Sequence, residues 1–129
     1  MSEFDLQNKV AIVTGAGGGI GREISLEFAR AGATVVLVGR TKESLQSVAD
    51  ELGDARSLVV PTDITKPDDV EKLVATVVDA FDRVDILVNN AGGGVMPCKA
   101  EDTAYDDWVK MIDINLTATF NCCIATGKQ

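Results

Sequence analysis

Four short runs of apolar, mostly β-branched residues recur along this chain without alternating with polar ones. They are Val10-Ala11-Ile12-Val13, Val35-Val36-Leu37-Val38, Leu58-Val59-Val60 and Ile86-Leu87-Val88. A run of this kind reads as a strand covered on both faces, the state of a parallel sheet flanked by helices. Helical period fills the gaps between them. Ile20, Ile24, Phe28 and Ala31 step by three or four and stop at Gly32. Leu45, Val48 and Leu52 follow from Thr41 and close at Gly53. Pro67 suits a first helical turn, and Val70, Leu73, Val74, Val77 and Phe81 form the buried stripe behind it. A last helix is expected from an N-cap at Thr103, with a stripe of Val109, Ile112, Leu116, Phe120 and Cys123. Each gap exceeds the roughly dozen residues that a parallel crossover requires. The pattern predicts one α/β domain, a doubly wound parallel sheet of four strands in the order 3-2-1-4.

Composition agrees with a folded domain and narrows its partners. Hydrophobic residues are 46% and charged residues 25% of the 129, ordinary values for a chain with a core. The net charge of -8 repels phosphate backbones, so nucleic acid is not expected as a partner. No apolar stretch approaches the ~18–20 residues that span a bilayer, so no membrane partner is expected either. The start, Met1-Ser2-Glu3-Phe4-Asp5, lacks the basic-then-apolar layout of an export signal, and the expected location is cytoplasmic. With no histidine, histidine-based triads and most zinc sites are excluded, and no metal site is expected. Cys98, Cys122 and Cys123 form no Cys-x-x-Cys pair and read as reduced thiols, the last two as small core or interface residues.

Directly after the first run comes Thr14-Gly15-Ala16-Gly17-Gly18-Gly19-Ile20-Gly21, which opens the first helix. Glycines there let backbone approach a pyrophosphate closely, and free N–H groups and the positive helix end face the anion. A plain turn is the alternative for glycines alone; their place between the first strand and first helix favours a dinucleotide site. The generic Gly-x-Gly-x-x-Gly fails because Ile20 stands at the third glycine. What fits is Gly15-x-x-x-Gly19-x-Gly21 preceded by Thr14.

This pattern resembles the short-chain dehydrogenase/reductase family. Asn89-Asn90-Ala91-Gly92, Asp63-Ile64 and Asn115 within Asp113-Ile114-Asn115-Leu116 match further family motifs in the family's order. The resemblance implies a Rossmann-type fold, here truncated at four strands, with residues 1–129 forming a single NAD(P)-binding domain incomplete at its C-terminus. It implies that Gly15, Gly17, Gly18, Gly19, Ile20 and Gly21 hold the pyrophosphate. Asp63 would accept from the adenine amino group with Ile64 beside the ring, and Asn90, Ala91 and Gly92 would border the ribose. For Asp63 the alternative is a turn cap before Pro67. Thr14 and Asn89 read instead as ties between strand ends. Asn115 corresponds to the asparagine of the catalytic tetrad, which helps hold a proton-relay water.

The end of the second run separates NADP from NAD. An NAD site usually has an acid there; this chain has Gly39 followed by Arg40, which can pair with a 2′-phosphate. NADP is the expected cofactor, NAD the less favoured one, and a solvated Arg40 the alternative. The rest of the family's tetrad, a serine and a Tyr-x-x-x-Lys pair, has no match after Asn115. Tyr105 and Lys110 are five apart, about 140° around a helix where four would leave about 40°, so they do not substitute. Tyr105 and Trp108 read as packing residues. The resemblance therefore implies an oxidoreductase of alcohols or ketones, a homo-oligomer when complete, present here as an inactive cofactor half. A non-catalytic dinucleotide-binding module and a non-functional fragment are the alternatives.

Overall fold

The computed structural model describes residues 4–94 and 97–129. Met1, Ser2 and Glu3 of the acidic start lie outside the described residues. Strands β1 (Val10–Thr14), β2 (Thr34–Gly39), β3 (Ser57–Pro61) and β4 (Ile86–Val88) alternate with helices α1 (Gly19–Arg30), α2 (Lys42–Leu52) and α3 (Pro67–Phe81). A 3-10 turn at Ala100–Asp102 leads into α4 (Tyr105–Ile112), a π-helical segment (Asp113–Thr117) and α5 (Ala118–Gly127). The four strands form one parallel sheet in the order β3-β2-β1-β4. Ile12 stands beside Val36 on one side and Leu87 on the other.

The missing alternation has a direct cause. Val10, Ile12, Val36 and Val38 pack against Val70, Leu73, Val74 and Val77 of α3 and Ala118, Cys122 and Ala125 of α5. Val13, Val35 and Leu37 point the opposite way, into Ile24 and Phe28 of α1 and Leu45, Val48 and Leu52 of α2. Each face of the inner strands is thus apolar because each meets helices. Full burial of one such side chain stabilises by about 1.5–3 kcal/mol. No helix among the described residues is long and apolar enough to cross a membrane.

Helix ends follow the sequence signals in most places. α1 closes with Ala33 N–H donating to Phe28 O and Gly32 N–H to Ala29 O, a Schellman ending. α2 starts after Thr41 and stops at Gly53, and α3 takes Pro67 in its first turn.

Four local expectations fail. Ile20 is 73% exposed, because the inner face of α1 at this end is formed by buried Gly21 and Ser25. Thr103 is not the cap of the last helix; Ala104 holds that position, and the Thr103 hydroxyl turns back toward Lys99 O. The stripe also fails: Leu116 and Phe120 are exposed, as is Cys123, while Ala118, Cys122 and Ala125 face the core. The π-helical segment winds more residues per turn than an α-helix, so the face carried by Val109 and Ile112 does not continue in phase into α5. Tyr105 and Trp108 are exposed as well and pack into no core.

Candidate cofactor site

The carboxyl ends of all four strands meet at one edge of the sheet, with β1 between β2 and β4 where the chain order reverses. In open α/β sheets that crevice is where ligands bind. Here it is a cleft of about 470 Å³. Gly15, Arg40, Asp63, Ile64, Ala91 and Gly92, all singled out in the sequence, line it. Thr62, Thr65, Gly93, Met111 and Ile114 line it too, and the sequence reading singled out none of them. Gly17 to Gly21, Asn90 and Asn115 are not in its lining, though Asn90 and Asn115 bond to Gly15 and Gly93, which are.

The glycine loop divides into two kinds of position. Gly15 has φ +63, and a Cβ there would lie 2.9 Å from Asn90 Nδ2 and 3.0 Å from Ala91 Cα. On Gly21 a Cβ would lie 2.1 Å from the Gly15 carbonyl oxygen. Gly17 faces the Ser44 hydroxyl, which a Cβ would approach to 2.5 Å. Gly15 and Gly21 are required by the protein's own backbone packing, whereas at Gly17 the Ser44 side chain would have to turn away. Gly18 and Gly19 differ: a Cβ on either would meet nothing within 4 Å. The first intrahelical bond of α1 is Arg22 N–H to Gly18 O, at 3.2 Å. The N–H groups of Gly19, Ile20 and Gly21 precede it and have no acceptor within the helix. Open space beside unpaired donors at a helix N-terminus fits a pyrophosphate.

Thr14 is buried, and its hydroxyl donates to Val88 O at 3.3 Å while accepting from Asn90 N at 3.1 Å and Ala91 N at 3.0 Å. It joins the ends of β1 and β4, as its sequence context predicted. Asn89 does not share that task, since its amide donates to Cys123 Sγ on α5 at 3.4 Å. The second strand tie is Asn90, whose Nδ2 donates to Thr14 O at 3.1 Å and Gly15 O at 3.2 Å. The amide donors of Asn90 are thereby spent on holding the glycine loop.

On the opposite wall Asp63 caps its own turn. Its Oδ1 accepts from the Thr65 hydroxyl at 2.6 Å and the Thr65 amide at 3.1 Å. The Thr65 hydroxyl chiefly, and then the Thr65 amide and the charges of Lys66 and Arg40, hold this carboxyl below its ordinary range despite desolvation. Asp63 is therefore an acceptor at neutral pH. Ile64 is buried beneath it, and its carbonyl accepts from Asn121 Nδ2 at 3.1 Å. Arg40 is exposed at the mouth of the cleft. No salt bridge holds it among the described residues.

Asn115 lies in the π-helical segment. Its Nδ2 donates to Gly93 O at 2.7 Å and Met111 O at 2.9 Å, and its Oδ1 accepts from Gly93 N at 3.2 Å. Both ends of this side chain clamp the loop after β4, so Gly92 can have no Cβ, which would stand 2.7 Å from Asn115 Oδ1. Cys122 is a packing residue with its thiol pushed up to about 11 by burial. Among the described residues no cluster of side chains could hold a metal ion.

Residues 9–129 match the family model described as short chain dehydrogenase. An uncharacterized oxidoreductase of Staphylococcus aureus is 43% identical over 114 residues, which cover 88% of this chain and 49% of the relative. The NAD-dependent glycerol dehydrogenase of Listeria innocua is 37% identical over 127 residues, 98% of this chain and 49% of that protein. The chain thus spans about half the length of the curated relatives it matches. A metagenomic short-chain oxidoreductase solved in complex with NADP superimposes with a TM-score of 0.90 at 32% identity, over 95% of this chain and 57% of the other. A short-chain type dehydrogenase/reductase from Mycobacterium marinum gives a TM-score of 0.93 at 34% identity, over 97% of this chain and 50% of the other.

Proposed function

The chain belongs to the short-chain dehydrogenase family, and from that premise we propose that it is the NADP(H)-binding half of an alcohol or ketone oxidoreductase. One juxtaposition carries this reading. Gly15, Arg40 and the ionised Asp63 line one cleft, and the chain runs on from Gly15 into the free N–H groups at the start of α1. A bound nicotinamide dinucleotide supplies hydride chemistry at a carbonyl or alcohol carbon. The chain's own residues bind and orient it: the loop at Gly18 to Gly21 receives the pyrophosphate, Asp63 and Ile64 the adenine side, and Ala91 and Gly92 the middle. Asn115 acts as the clamp of the loop after β4 and holds a relay water.

The choice of NADP over NAD rests on Gly39-Arg40, which sets an uncharged residue where NAD enzymes carry an acid and a cation directly after it. A relative solved with NADP supports it, and a relative named NAD-dependent supports the alternative. Fluorescence titration of the folded chain with NADPH and NADH tests it. Tighter NADPH binding is expected, and equal affinities would overturn the assignment.

Within its 129 residues the chain has no serine and no Tyr-x-x-x-Lys pair after Asn115. In this reading it binds cofactor without turning over substrate. The complete protein is a cytoplasmic homo-oligomer acting on small molecules.

A further inference from the structure

We infer that Asn121, a residue of the last helix far from the glycine loop in sequence, is a positioning residue for the adenine side of the cleft. The inference rests on the dinucleotide reading above and adds to it a residue that holds the wall in place.

The loop between β3 and α3 carries Asp63 and Ile64 and needs fixing on both sides. At its start, Thr62 N–H donates to Gly39 O at 2.8 Å, which anchors it to the end of β2. Within it, Asp63 and Thr65 bond to each other, and Lys66 N–H donates to Asp63 O at 3.1 Å. These contacts close the turn on itself, but they do not fix the angle at which it projects over the cleft. Ile64 O is the acceptor that points out of the turn, and the donor that meets it comes from α5: Asn121 Nδ2, at 3.1 Å. Asn121 is half-buried, next to Cys122 in the core and one turn beyond Ala118. Its backbone is thus held by core packing, and a hydrogen bond from it transmits that rigidity to the loop.

The same helical run clamps the other wall. Asn115 grips Gly93 after β4, and Asn121 grips Ile64 after β3. One structural unit therefore sets the position of two loops that face each other across the cleft. Asn121 touches no cleft space itself and acts through the Ile64 backbone.

The test uses the 129-residue chain with Asn121→Leu and Asn121→Asp, both close in size to the original. Leucine removes the donor, and aspartate sets a carboxylate against the Ile64 carbonyl. Binding is measured for NADPH and for adenosine 2′,5′-bisphosphate, which holds only the adenine half. Hydrogen exchange of the Thr65 amide reads the loop directly, and far-UV circular dichroism confirms the fold. Both variants are expected to lose roughly tenfold in affinity for each ligand by the same factor, since a buried hydrogen bond's loss is of that order. Faster Thr65 exchange should accompany the loss. If a folded variant loses NADPH affinity but keeps the bisphosphate, or keeps both, the role assigned to Asn121 is wrong while the dinucleotide reading stands. If one variant fails to fold, the other decides. Failure of the unmutated chain to bind either ligand overturns the dinucleotide reading and this inference with it.

Discussion

Gly21 lies so close under Gly15 that a Cβ on it would stand 2.1 Å from the Gly15 carbonyl oxygen and 2.6 Å from Asn90 Nδ2, which is bonded to that oxygen. Backbone at that distance cannot move without opening the first turn of α1. Gly21→Ala should therefore destabilise the domain by about 3 kcal/mol or more, the upper end of overpacking costs. Gly18→Ala is the contrast, because its extended backbone and open surroundings accept a methyl group. Its stability should stay within about 0.5 kcal/mol of the original while NADPH affinity drops. Urea unfolding and fluorescence titration of both variants check the pair. Normal NADPH binding by Gly18→Ala would remove the pyrophosphate from this loop.

Arg40→Asp should reverse much of the preference for NADPH. A charge-assisted contact to a 2′-phosphate contributes about 1.5–3 kcal/mol, roughly ten- to a hundred-fold in affinity. Arg40 is exposed and has no salt bridge among the described residues, so its loss should leave the melting temperature nearly unchanged. The check is the ratio of NADPH to NADH dissociation constants before and after substitution. A ratio unmoved by the change would make Arg40 a solvated surface residue.

Asp85 gives a pH prediction at the opposite end of the sheet. Its carboxylate is held below the usual value of 3.8 by the Arg83 guanidinium and by accepting the Val10 amide at 2.8 Å. A carboxyl depressed on folding stabilises at pH above its unfolded value and loses that contribution as pH falls through the folded one. Stability should thus decline as acid is added below about pH 4. Asp85→Asn should flatten that decline and lower the melting temperature at pH 7. Thermal unfolding of both forms from pH 2 to pH 7 measures it; parallel curves would show that this pair carries no linkage.

The purified 129-residue chain should show no multiple turnover with simple ketones or with reactive diketones. Residues 116–129 hold no serine and no Tyr-x-x-x-Lys pair, the groups that supply the proton in this family, and the amide of Asn115 is committed to Gly93 and Met111. Restoring a segment with the serine and the Tyr-x-x-x-Lys pair should restore NADPH oxidation through the tyrosine. Robust turnover by the chain alone, abolished by Tyr105→Phe, would show that the catalytic group has been misplaced.

How well the sequence foretold each part depends on how local the physics is. The strands of Val10 to Val13 and Val35 to Val38 were legible because burial on both faces leaves an unmistakable unalternated run. Gly53 and Pro67 marked helix ends because their backbone chemistry acts in place. Ile20 misled, since an apolar residue at helical spacing says nothing of which face the helix presents, and small Gly21 and Ser25 face inward instead. The Leu116–Phe120 stripe misled because the periodicity argument assumes one pitch, and the π-helical segment changes it. In the site, the place of the glycines between β1 and α1 was legible from their spacing, and Asp63 came to notice only through the family resemblance. Asn121 was not legible, because a lone asparagine on a helix carries no sign that a carbonyl 57 positions earlier will reach it.

The open part of the glycine loop also bears on how a site like this could change its ligand. Between Gly17 and Gly19 the protein presents main-chain atoms and no side chain at all. Main chain is common to every amino acid, so the loop as it stands meets a ligand through backbone groups alone, and a side chain could only be added there, not exchanged. Retuning by exchange therefore falls to the far wall, where Arg40 and the turn at Asp63 offer replaceable side chains; retuning by addition falls to Gly18, whose extended backbone and open surroundings accept a side chain. A directed-evolution library for altered dinucleotide preference should place its diversity at those positions and leave Gly15 and Gly21 invariant, where a Cβ would meet backbone.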